Sequence, residues 1–355
     1  MAAHAQKPAR HTLKASRVLA FLLRVAAGAC AMAWLGGCAA PSSAAALDTS
    51  AFTERRLPAD QGQSLVALYR SARAAPLRYR VIVLPGSGCA GMGPLAERYF
   101  AGLLHAQVLV LHKPGVDAQA RTAPGDCAHR FVQADALGAW REHARAALRA
   151  DAAQRAGTPA LAQVLVGISE GAELLAALAP EVPHLAGLVL LGASGLDPWE
   201  AGALQAQRLG AAAQWQALAG ATASAGPDSW VLEGRSLGYW RGMRQWPLAA
   251  PLIDGPWPIL QVWGEEDALV PASAYERFAL RARGRVAPYC QRRLPGADHG
   301  LQRADGYDGV QWVWAWLENW ARASKKGLCA ELMPGACSWD CAALSAAPGL
   351  AVAPE

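Results

Sequence analysis

The stretch Val164-Leu165-Val166-Gly167-Ile168-Ser169-Glu170-Gly171-Ala172 ends an apolar run in Gly-x-Ser-x-Gly and passes straight into helix-forming residues. A serine becomes a useful nucleophile when its hydroxyl is lifted clear of a sheet on a tight strand-to-helix turn, and flanking glycines tolerate the backbone crowding there. The hydroxyl also needs a base to take its proton and a carboxylate to orient that base. Both stand downstream, each after its own apolar run: Asp267 in Gly264-Glu265-Glu266-Asp267-Ala268-Leu269-Val270-Pro271, and His299 in Gly296-Ala297-Asp298-His299-Gly300-Leu301. Singly, each has a plain alternative: a chance Gly-Ser loop in a chain of 35 glycines, a solvated loop acid, a turn histidine. Jointly, Ser169, Asp267 and His299 specify acyl transfer through a serine. Glu265, Glu266 and Asp298 compete for the role of the acid.

Elements that could carry these loops to one edge follow from the apolar pattern. Short apolar runs at 64–69, 80–84, 107–111, 162–166, 185–191, 259–263 and 290–294 read as strands, several unbroken enough to be buried on both faces. Helical composition or spacing at 94–105, 127–154, 169–178, 273–283 and 307–324 separates most of them. That alternation predicts an α/β fold with a doubly wound, mostly parallel sheet. The rhythm breaks at about 197–250, where Trp199, Trp215, Trp230, Tyr239, Trp240 and Trp246 sit among helical segments, so a small helical cap is expected there. Its tryptophans either line an apolar pocket or pack the cap to the body. Trp312, Trp314, Trp316 and Trp320 in the last helix read as core packing.

Gly-Ile-Ser-Glu-Gly, the segment from Gly264 to Pro271 and Ala297-Asp298-His299-Gly300 together resemble the α/β-hydrolase family, over roughly 64–324. The resemblance implies Ser169 as nucleophile, Asp267 as orienting acid and His299 as base. It also implies an oxyanion hole built from the backbone N–H of Glu170 and a second donor in Pro85-Gly86-Ser87-Gly88-Cys89. That loop lacks the family's usual His-Gly start; Ser87 is the expected donor, with Gly88 as the alternative. No cofactor is implied. The expected substrate is a carboxylic ester, or else a short peptide cleaved at its N-terminus, for which Glu200 and Glu233 in the cap are the available amine-binding acids.

Two readings from other classes compete. Gly86-Ser87-Gly88-Cys89-Ala90-Gly91 fits G-x-G-x-x-G after a strand and before a helix, the pattern of a dinucleotide-binding oxidoreductase. The acid expected after the next strand is missing, and Lys113 stands there instead. The other is a binding lipoprotein of hydrolase fold that keeps the serine, acid and histidine without using them.

The first 37 residues hold Lys7, Arg10, Lys14, Arg17 and Arg24, no acidic residue, and an apolar run at 25–35, which is the pattern of a secretory leader. Leu35-Gly36-Gly37-Cys38 resembles a bacterial lipobox, so Cys38 is the expected lipidation site of an outer-membrane lipoprotein facing the periplasm. A cut after Ala44-Ala45-Ala46 would give a soluble periplasmic protein instead. The expected layout is a leader at 1–37, a tether at 38–55, a hydrolase domain at 56–326 and a Cys-containing tail at 327–355. The 33 basic residues exceed the 28 acidic ones by five, and five lie before Cys38, so the remainder is near neutral and suggests no nucleic-acid partner. The oligomeric state is not legible from these residues.

Cys89, Cys127, Cys290, Cys329, Cys337 and Cys341 form an even set in an exported chain, which suggests disulfides. The spacing Cys329-x7-Cys337-x3-Cys341 does not match a zinc site, so no metal is expected. Cys89 and Cys127 follow adjacent strands and are expected to pair. Of the three connectivities left, Cys290 with Cys329 and Cys337 with Cys341 is the expected one.

Overall fold

The apolar runs form one eight-stranded sheet in a computed structural model that describes residues 52–330. Its strands are β1 (Thr53–Pro58), β2 (Ser64–Arg70), β3 (Tyr79–Leu84), β4 (Ala106–Leu111), β5 (Ala162–Ile168), β6 (Leu185–Leu191), β9 (Ile259–Gly264) and β10 (Tyr289–Leu294), in the order β1-β2-β4-β3-β5-β6-β9-β10. The run from β4 to β10 is parallel throughout, whereas β2 pairs antiparallel with both β1 and β4. A short hairpin, β7 (Val231–Leu232) with β8 (Arg235–Ser236), lies outside this sheet.

Alternation along the strands sorts their side chains between two layers. Val81, Val83, Val164 and Val166 face a cluster that includes Ala96 of α1 (Gly93–Tyr99) and Val313, Trp314 and Leu317, while Ile82, Leu84 and Leu165 face Leu137, Trp140 and Leu148 on the other side. The second layer is built on α3 (Leu137–Gln154) and α4 (Leu175–Leu178), while α2 (His129–Ala134), which buries no residue, precedes α3. The cap comprises α5 (Pro198–Arg208), α6 (Ala212–Thr222), the β7–β8 hairpin and α7 (Leu237–Arg244). It is followed by α8 (Ala249–Asp254), α9 (Ala272–Ala282) and the closing helix α10 (Gly309–Arg322). Asp197 clasps the cap's two ends, its Oδ1 accepting from the N–H groups of Leu248 (2.7 Å) and Ala249 (2.8 Å).

Several expected boundaries move. β1 begins at Thr53, inside the stretch read as tether, and Phe52 before it is already buried. Alternating charge hides this strand: Thr53, Glu54, Arg55 and Arg56 are exposed and only Leu57 turns inward. The helix expected at 127–154 is two, separated where Asp135 and Ala136 adopt extended backbone. The helix expected from Ser169 opens instead as a 3-10 turn, Ser169–Leu174, before α4. At the other end Leu328 and Cys329 are buried, so the core reaches beyond the expected limit at 326.

Candidate active site

Ser169 stands at the C-terminal end of β5 with φ +50°, a left-handed backbone that side chains rarely adopt. Its glycines are required by contact. A Cβ on Gly167 would lie 2.3 Å from Ala172 Cα, and one on Gly171 would lie 2.2 Å from the Leu84 carbonyl oxygen of β3. Ser169 Oγ is 3.0 Å from His299 Nε2, and His299 Nδ1 is 2.8 Å from Asp267 Oδ2. These residues arrive on the loops after β5, β10 and β9, at the same edge of the parallel sheet.

Asp267 is held from several sides. Its Oδ1 accepts from the N–H groups of Leu269 (2.8 Å) and Val270 (2.9 Å), and its Oδ2 also accepts from the Tyr275 hydroxyl of α9 (2.7 Å). Burial alone would push the carboxyl up. The bonds from His299, Val270 and Tyr275 outweigh that and hold its pKa below the ordinary carboxylate value. Of the competing acids, Glu265 is exposed and pairs with Arg293, Glu266 is exposed, and Asp298 accepts from the Gln302 N–H at 2.8 Å. Only Asp267 reaches His299.

Ser87, Ser169, Glu170 and Val270 line a cavity of about 280 Å³ that the cap covers with Tyr239 and Met243, among others. Glu170 is the second residue of the 3-10 turn, where a backbone N–H has no partner within the helix and can meet an oxyanion. The Ser87 loop is tied from behind by the Cys89–Cys127 disulfide, Cα atoms 5.7 Å apart. A second disulfide, Cys290–Cys329, joins β10 to the segment after α10. Opposite the serine, the loop after β6 is pinned by the buried Gln261, whose Nε2 donates to the carbonyls of Ala193 (2.9 Å) and Ser194 (2.7 Å). Of the cap's aromatics, Trp240 and Tyr239 line the cavity. Trp199 packs on Trp215 at 4.4 Å, and Trp246 donates to the Glu173 carbonyl at 2.8 Å, so these serve mainly to seat the cap.

A buried charge network that the linear reading misses lies directly behind the elbow. Lys113 Nζ donates to Asp135 Oδ1 (3.1 Å) and Glu170 Oε1 (3.0 Å). Arg235 from the cap hairpin bonds Asp135 and approaches Glu170 Oε2 at 3.4 Å. Burial would raise the Glu170 carboxyl; Lys113 and Arg235 outweigh it, and its pKa is lowered. Glu173, in the same 3-10 segment, is drawn down only weakly by those cations: burial first, then the Glu170 charge, outweigh them and push its carboxyl well up. Apart from acids placed three residues apart just after a candidate nucleophile, nothing in the sequence marks this cluster. Its members come from four separated segments.

The same geometry removes the dinucleotide reading. The N–H groups that would have to cradle a pyrophosphate are already used: Gly91 donates to Ala120 O (2.9 Å), Met92 to His112 Nε2 (3.0 Å) and Gly93 to Ala118 O (2.8 Å). Lys113 is buried in the ion pairs above and cannot face a ribose phosphate. Glu200 is engaged at the surface by Arg277 and Arg281, while Glu233 is exposed and does not line the cavity. Cys38, Cys337 and Cys341 lie outside the described residues.

Six parallel strands, the elbow after β5 and the cap after β6 make this chain an α/β-hydrolase fold. Solved structures agree. It superposes on a puromycin-hydrolysing peptidase of Mycobacterium tuberculosis (TM-score 0.53, 18% identity), covering 77% of this chain and 40% of that one. It also superposes on Est1E from Butyrivibrio proteoclasticus (TM-score 0.51, 15% identity, 76% and 99% covered) and on the esterase domain of a Rhodothermus marinus protein (TM-score 0.50, 19% identity, 77% and 98% covered). The chain thus spans about 40% of the length of the peptidase but nearly all of both esterase structures. No family model matches the sequence, and no curated protein matches it significantly.

Proposed function

We propose that this protein is a serine hydrolase that cleaves a carboxylic ester through an acyl-enzyme on Ser169. The observation that carries the reading is the continuous relay from Ser169 Oγ through His299 to Asp267, at 3.0 and 2.8 Å. Ser169 Oγ attacks the acyl carbonyl as His299 Nε2 takes its proton, and Asp267 stabilises the imidazolium that forms. Negative charge on the carbonyl oxygen is met by the Glu170 N–H and by Ser87, where losing one donor costs about 3–4 kcal/mol. Collapse of the intermediate expels the alcohol with the proton from His299. Water, activated by the same nitrogen, then releases the acid. No cofactor enters this cycle.

The cavity volume of about 280 Å³ is small beside the roughly 300–1,000 Å³ of drug-sized sites and favours a short acyl group. Cleavage of a short peptide at its N-terminus is the second reading, favoured by the Glu173 carboxyl in the same cavity. A fluorophosphonate probe, together with p-nitrophenyl esters of increasing chain length set against aminoacyl anilides, tests both. Labelling lost in Ser169→Ala and turnover of short esters are expected. Hydrolysis confined to anilides would replace the ester reading with the peptide one, and a chain that neither labels nor turns over substrate would be the non-catalytic binding protein.

The same proposal places the enzyme outside the inner membrane, anchored through a lipid on Cys38. The leader-like composition of 1–37 and Leu35-Gly36-Gly37-Cys38 support it. Among the described residues, no helix is long and apolar enough to cross a membrane.

A further inference from the structure

Glu173 stands four residues after Ser169, on the same turn, and lines the same cavity. Its Oε2 is wholly buried and has no hydrogen-bond partner. Such an atom is costly unless something arrives to satisfy it. Its charged neighbours are Glu170 on its own turn, Lys113 after β4, Asp135 between α2 and α3, and Arg235 in the cap hairpin, with the Tyr239 ring of α7 against Arg235. Lys113 and Arg235 are both spent on Asp135 and Glu170, as two cations against two carboxylates. Glu173 is therefore a third carboxyl with no cation of its own. A ligand anion would find Arg235, the cation that lines this cavity, already spent on Asp135 and Glu170. A ligand cation would complete the network.

We propose that the Glu173 carboxylate recognises a primary ammonium group on the substrate, so that the preferred ester or amide bears an amine within reach of the cavity. The assignment rests on the hydrolase reading of Ser169 and adds the substrate's charge. The amine binds as its ammonium, and Glu173 binds it as the carboxylate. Its carboxyl is pushed up in the free protein by burial and the Glu170 charge, and a docked ammonium pulls it back down, so binding favours loss of the Glu173 proton. Both charges are then matched inside the cavity, and an isosteric alcohol gains neither the ion pair nor the relief of the stranded Oε2.

Calorimetry with n-butylammonium chloride and with n-butanol on the full-length protein tests this without requiring turnover. The ammonium should bind at least about tenfold more tightly than the alcohol. Heats measured in two buffers of different ionisation enthalpy should show proton release for the amine alone. Glu173→Gln, of almost the same shape, should abolish both the preference and the proton release, with thermal melting used to establish that it is folded. Glu173→Asp, which keeps the charge, should retain part of the preference. Equal affinity for amine and alcohol in the wild-type protein overturns the proposal by itself. So does an unchanged preference in folded Glu173→Gln. Fluorophosphonate labelling of Ser169 is scored separately, so a failure of the hydrolase reading and a failure of amine recognition give different results.

Discussion

The Tyr275 hydroxyl donates to the same Asp267 oxygen, Oδ2, that faces His299 Nδ1, at 2.7 and 2.8 Å. One oxygen thus carries both the bond that orients the base and a bond that anchors the acid to α9. Tyr275→Phe removes the anchor while keeping the ring stacked on Trp263 at 4.5 Å. We expect kcat to fall by about tenfold, a hydrogen bond to a charged group being worth about 1.5–3 kcal/mol. In a profile of Tm against pH, the acid-side fall should begin at a higher pH than in wild type, because Asp267 loses one of the bonds that lower its pKa. A profile superimposable on wild type would show the hydroxyl to be idle.

Asp267 also sets an acid-stability expectation. Its folded pKa lies below the unfolded value of about 3.9, so its contribution is fully present above that value and is lost as pH falls through the folded pKa. Wild-type Tm should therefore drop more steeply than that of Asp267→Asn below about pH 4. Differential scanning calorimetry from pH 7 downward reads this directly, and parallel curves would contradict it.

The elbow's glycines predict a contrast within one chain. In Gly171→Ala the new Cβ would meet the Leu84 carbonyl oxygen at 2.2 Å, and neither backbone can yield without breaking the β3–β5 contact. Gly138, in α3, has nothing within 4 Å of its Cβ position. Chemical denaturation should show a loss of about 3 kcal/mol for Gly171→Ala, the upper end of the usual overpacking cost. Gly138→Ala should gain roughly 0.5–1 kcal/mol of helix propensity.

Cys89 and Cys127 close a loop of 38 residues behind the Ser87 segment. The double variant Cys89→Ser/Cys127→Ser should lose about 4 kcal/mol of stability by chain entropy. It should also lose turnover at temperatures where it stays folded, because the oxyanion loop is no longer held. Wild-type turnover in the folded double variant would separate the bridge from catalysis.

Intact-mass measurement of protein recovered from a Gram-negative host checks the anchor. A diacylglycerol-modified chain starting at Cys38 in the outer-membrane fraction is expected. A lipid-free chain starting at Leu47 in the periplasm would make the protein soluble there.

Ser169, Asp267 and His299 are legible in the sequence because each lies in a short loop after a strongly apolar strand. Such strands announce themselves locally, and in a parallel sheet their C-terminal loops must gather at one edge. The same locality makes β3, β5, β6 and β9 readable, while β1, with only Leu57 turned inward, carries too little apolar signal to be separated from a tether. What no local pattern encodes is which acid meets the histidine among Glu265, Glu266, Asp267 and Asp298. Tertiary packing settles that, by burying Asp267 under Tyr275 and leaving Glu265 and Glu266 in solvent. Distance along the chain hides the charge network most completely: Lys113, Asp135, Glu170 and Arg235 are ordinary surface-type residues in sequence. They become one network, buried but for the edge of Arg235, only because the cap hairpin folds back over the elbow, and low dielectric then turns their charges into constraints on one another. The sequence by itself determined the chemistry this chain can attempt. Three-dimensional packing alone decided that the Oε2 of Glu173 is left without a partner, since only a folded interior can strand a polar atom away from water.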